Sequence, residues 1–126
     1  MIEPIHTDAA PTPGGHYSQA VRHNGLVYVA GLLPVRASGE RELGDIDQQF
    51  AVIVESLRAI LGAAGSDLSH VLRATIYVTS IESWPTVNRA FAEAFGEHRP
   101  ARTVVPVSEL HYGFAVEVDV IAVCRP

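Results

Sequence analysis

Apolar residues recur at helical spacing in some stretches and alternate with polar residues in others, and the two rhythms divide the chain into elements. Ile46, Phe50, Ile53, Val54, Leu57, Ile60 and Leu61 keep the three-to-four-residue step of an amphipathic helix. Asp45 ahead of them is a capping residue, and Gln48 completes a capping box. Gly65, after Ala63 and Ala64, suits a left-handed C-terminal stop. Ser83 and Pro85 announce a second helix, with Trp84, Val87, Phe91, Ala94 and Phe95 along one side and Gly96 at its end.

Between the helices, Leu72, Ala74, Ile76 and Val78 alternate with Arg73, Thr75, Tyr77 and Thr79. That is the period of a strand with one face on the core. His16–Val21 and Leu26–Leu33 flank Asn24-Gly25, a pair that tolerates positive φ, and so predict a hairpin that Pro34 ends. Val35–Gly44 is a polar loop with a turn signal at Ser38-Gly39. Residues 1–15, rich in Pro, Gly and small polar side chains, predict an extended arm. Two mostly apolar strands close the chain, Arg99–Val107 and Phe114–Val123, with the loop His111-Tyr112-Gly113 between them.

The order β-β-α-β-α-β-β, with a further strand left open ahead of the first helix, predicts an α+β fold. One mixed sheet carries both helices on one face, in a single domain over residues 1–126. Two helices cover only one side of such a sheet. The other side, expected to carry Arg102 and Glu117 or their neighbours, calls for a partner subunit and places sites between subunits.

Charge and cysteine narrow the function classes. The formal net charge is -5, and all nine basic residues are Arg, in no run. A nucleic-acid partner is not expected, since such proteins gather cations against phosphates. Cys124 is the one cysteine, which rules out an intrachain disulfide and fits a reducing compartment. Met1–Ile5 has neither a basic nor an apolar leader region, and no stretch approaches a membrane span, so a cytoplasmic protein without a membrane partner is expected. The six histidines are scattered, and with no Cys/His cluster a metal site is not indicated.

The candidate chemistry lies in the last two strands. Arg102 is a cation in an apolar run, and Glu117 and Asp119 share one parity on the next strand. A guanidinium binds a carboxylate through planar paired bonds at any working pH, so Arg102 is a candidate anchor for a small carboxylate. The same residues would also serve as an ion pair at a sheet edge or subunit interface. Tyr17, beside Gly14-Gly15, either faces a pocket or is an amphipathic strand residue with a wet tip.

Taken together, several segments resemble the Rid family of enamine/imine deaminases, also called YjgF or L-PSP. They are Tyr17-Ser18-Gln19-Ala20-Val21, Gly31 through Pro34, Gly44-Asp45-Ile46, Thr86-Val87-Asn88, Pro100-Ala101-Arg102-Thr103 and Val116 through Ala122. The resemblance runs from about Pro11 to the C-terminus. It implies a chorismate mutase-like α+β fold, a homotrimer whose sheets form a central barrel, and clefts between subunits. It implies hydrolysis of 2-imino acids or their enamine tautomers to 2-keto acids and ammonia, without a cofactor. By resemblance Arg102 holds the substrate carboxylate, Glu117 positions or activates the attacking water, Tyr17 and Asn88 line the cleft, and Gly31 lets backbone approach the ligand. Ala30, Leu32, Val104 and His111-Tyr112 depart from the usual family residues. The departures at Ala30, Leu32 and Val104 imply a more apolar wall, and together with His111-Tyr112 they imply a larger or more apolar substrate; Ala30, Val104 and Tyr112 are among the substrate-binding positions. They also leave open a trimer that binds small molecules or proteins without turnover.

Overall fold

The computed structural model describes all residues, Met1–Pro126, and no helix in it is long and apolar enough to cross a membrane. Six strands form one sheet: β1 (Glu3–Ile5), β2 (Ala20–His23), β3 (Leu26–Leu32), β4 (Val71–Val78), β5 (Ala101–Pro106) and β6 (Val116–Val123). Two helices, α1 (Ile46–Ala63) and α2 (Trp84–Phe95), lie on one side of it. The sheet order is β1-β2-β3-β6-β4-β5, parallel only between β4 and β5.

Local chemistry sets the element ends. Asp45 accepts from the Gln48 backbone N–H at 3.0 Å, and Gln48 Oε1 accepts from the Asp45 N–H at 3.0 Å, closing the capping box. Asn24 and Gly25 both adopt left-handed backbone, with φ of 51° and 78°, and join β2 to β3 in a two-residue turn. The core fills the space between helices and sheet with Ile53, Leu57, Ile60 and Leu61 from α1, Val87, Phe91 and Phe95 from α2, and the inward residues of the central strands. Phe91 stacks on Phe95 with ring centres 4.3 Å apart.

Four expectations change. The arm is not wholly extended coil, because Glu3–Ile5 pairs with β2 as an edge strand. The strand expected over His16–Val21 starts at Ala20, since Gln19 is engaged in holding the arm and residues 14–17 bend. The open strand ahead of α1 is a single bridge between Val35 and Arg41. On β4 a register shift between Val71 and Arg73 puts Val71 in the core and leaves Leu72 48% exposed.

The uncovered sheet face also needs correction. Glu117 and Asp119 do lie on it, opposite Tyr77 and Thr75 of β4. Arg102 does not. It pairs with Ala74, a fully buried core position, so its side chain rises on the helix side of the sheet.

Candidate functional site

The protomer carries two partial sites, one on each side of the sheet. The first is a cavity of about 390 Å³ at the end of β3, large enough for an amino-acid-sized molecule. Tyr17, Ala30, Gly31 and Tyr112, all singled out from the sequence, line it together. Its outer wall is Pro11–Gly15 of the arm. Gln19 holds that wall in place. Its buried amide accepts from Thr7 N–H at 2.8 Å and donates to the Thr7 and Pro11 carbonyls at 3.0 Å each and to that of Ala10 at 3.4 Å.

Glu117 does not itself line this cavity but lies directly against Gly31, which does. The register of β3 on β6 shifts between Val29 and Leu32, which places Gly31 over the Glu117 carboxylate. A Cβ at residue 31 would collide with Glu117 Oε2. Burial, then the negative charge of Asp119, raises the Glu117 pKa above the ordinary 4.5, and His111 pulls it back down. Tyr77 donates to Asp119 at 2.9 Å, so Asp119 has a partner and Glu117 is the acceptor left without one on this face.

The second partial site is on the helix side of the edge strand. Arg102 lies over Phe91 at 4.9 Å and faces Trp84 at 5.5 Å, both measured to ring centres. Val104 follows Arg102 on the same face of β5, packed against the core, and Asn88 is exposed on α2 between Trp84 and Phe91. Arg102 makes no salt bridge, so the ion pair with Glu117 that the sequence left open is not formed within the protomer. Tyr17, Ala30, Gly31, Tyr112 and Glu117 therefore form one group, and Asn88, Arg102 and Val104 another. No group of three or more His, Cys, Asp or Glu side chains gathers in a metal-ligating arrangement.

Sequence reasoning passed over four residues. Arg41 and His111 border the cavity, so its wall is not simply apolar. Trp84, read as a core residue, is 41% exposed beside Arg102. Gln19 is a strut of the wall. The available signal for Arg41 was a cation close behind the Ser38-Gly39 turn, and for Trp84 its position at the very start of α2.

Comparison with known proteins fits this architecture. The family described as Endoribonuclease L-PSP matches residues 7–124. A RutC family protein of Pyrococcus horikoshii is 39% identical over 123 residues, covering 97% of this chain and 98% of its own. The crystal structure of YyfA of Yersinia pestis, a protein of unknown function in the conserved Rid family, superposes with a TM-score of 0.94 at 34% identity, covering 98% of this chain and 99% of that one. The structure of E. coli TdcF with bound serine superposes with a TM-score of 0.91 at 30% identity, covering 98% and 99% of the two chains.

Proposed function

Because the chain belongs to the endoribonuclease L-PSP family, the Rid or YjgF proteins, we propose that it hydrolyses a carboxylate-bearing imine or enamine to the keto compound and ammonia. The reaction takes place in clefts between the subunits of a homotrimer. The observation that carries this reading is the division of the site. A carboxylate against Gly31, beside an amino-acid-sized cavity that Gly31 lines, lies on one face, and a guanidinium without an acid partner lies on the other. Neither half is sufficient alone, and a neighbouring subunit on the uncovered face joins the Arg102 half of one chain to the Glu117 half of the next. The serine bound to TdcF, itself a small carboxylate, supports a ligand of this size in a relative.

The chemistry follows from the two halves. Arg102 holds the substrate carboxylate through its paired N–H donors, braced by Phe91 and Trp84. The iminium carbon is already electrophilic, so fixing it beside an oriented water removes much of the barrier. Glu117, with its proton affinity raised by burial, takes a proton as water adds to the carbon. It returns that proton to the nitrogen of the tetrahedral adduct and takes the hydroxyl proton as the C–N bond breaks, so that the carbonyl forms, ammonia leaves, and the proton then passes from Glu117 to ammonia or solvent. An enamine enters the same path after protonation on carbon.

An acidic chain with no run of cations does not favour RNA as the substrate, despite the family's description. The test is ammonia release from imines generated in situ by an amino-acid oxidase, with sedimentation of the same sample. Accelerated release by a trimer supports the reading. No acceleration over the uncatalysed rate, or a stable monomer at micromolar concentration, overturns it.

A further inference from the structure

Arg41 is a cation in the cavity wall to which the proposed chemistry gives no role. Its guanidinium carbon lies 3.5 Å above the centre of the Tyr112 ring. The carboxylates on either side of it in sequence, Glu40 and Glu42, are both taken by Arg36, at 3.2 and 2.6 Å. Arg41 therefore has no acid partner, and stacking leaves its N–H edges free to bond in the guanidinium plane. Arg41 forms no salt bridge with Glu117 or with any other carboxylate.

The pair is held in place from both sides. The Val35–Arg41 bridge fixes the loop, with Arg36 N–H donating to the Glu40 carbonyl at 2.8 Å and Glu42 N–H to the Pro34 carbonyl at 2.9 Å. Tyr112 stands on left-handed backbone, φ 58°, a conformation that bulky residues seldom adopt. Its ring meets the buried Phe114 edge-on at 5.8 Å, and His111 lies beside it.

We propose that Arg41, flat on Tyr112, receives a second carboxylate, so that the cleft selects acidic 2-imino acids with a carboxylate at each end. The inference rests on the reading that Arg102 anchors the first carboxylate. A single planar fork of donors matches the two oxygens of a carboxylate. A charge-assisted contact of this kind is worth about tenfold or more in affinity.

Calorimetric titration with 2-oxobutyrate and 2-oxoglutarate tests it, because the two share the keto-acid end and differ at the distal end. The unmodified protein is expected to bind 2-oxoglutarate about tenfold or more tightly than 2-oxobutyrate. Arg41→Gln brings the ratio close to one, and Arg41→Lys restores part of it. Arg102→Lys weakens both ligands and leaves the ratio. Equal binding of the two ligands, or a preference that survives Arg41→Gln, overturns the inference while the Arg102 anchor stands. Binding of neither ligand at millimolar concentration overturns both.

Discussion

The Glu117 carboxylate occupies the space that any side chain at residue 31 would need. The obstructing atom ends a flexible side chain, so Gly31→Ala is accommodated by rotating Glu117 aside. The stability cost should stay below about 1 kcal/mol. The rate should nevertheless fall about 10²-fold, the scale of a misplaced reacting group. Thermal midpoints and kcat on the same variant check this, and a normal rate would detach Gly31 from the positioning of Glu117.

Glu117→Gln separates catalysis from folding. The folded state binds a proton at Glu117 more tightly than the unfolded chain does, so this residue's contribution to stability falls as pH rises above 4.5 towards the raised folded value. Replacement by Gln is therefore expected to leave stability unchanged at about pH 4 and to increase it at about pH 8. The rate should drop about 10²–10⁴-fold. Loss of stability at both pH values with an intact rate would make Glu117 a structural residue.

Arg102→Lys keeps the charge but loses the fork that lies over Phe91. A fall in kcat/KM of about 30-fold or more is expected, corresponding to roughly 2 kcal/mol at the low end for a buried charge contact. Circular dichroism should be unchanged, because Arg102 sits on an edge strand. Full activity from a folded Lys variant would remove the carboxylate anchor.

Gln19→Leu tests the arm. It strands the Thr7 N–H and three carbonyl contacts, at a cost of about 1–3 kcal/mol. Protease cleavage within residues 1–15 should accelerate and KM should rise more than kcat falls, since Pro11–Gly15 is a wall of the cavity. An arm as resistant as before would show that the wall stands without this strut.

The sequence discloses this molecule where the determining interaction is local. The Asp45–Gln48 box, the Asn24-Gly25 turn and the parity of Glu117 with Asp119 all depend on residues a few positions apart. The face taken by Arg102 depends on register against β4, set across an intervening helix by a parallel pairing that no local pattern encodes. Leu72 misleads for a similar reason: the slip between Val71 and Arg73 breaks the alternation. Arg41 and Tyr112 lie on separate loops and become neighbours only in the folded chain.

The split of the site across the sheet carries a genetic consequence. If each cleft takes Arg102 from one chain and Glu117 from the next, two inactive alleles should rescue one another. Co-refolding an Arg102→Lys chain with a Glu117→Gln chain yields mixed rings, each with a single junction where both intact residues meet. With random assembly in equal amounts, about a quarter of the normal activity should return. A site contained within one chain would return no more than the few per cent the parents keep, so complementation between two crippled proteins reads out the architecture.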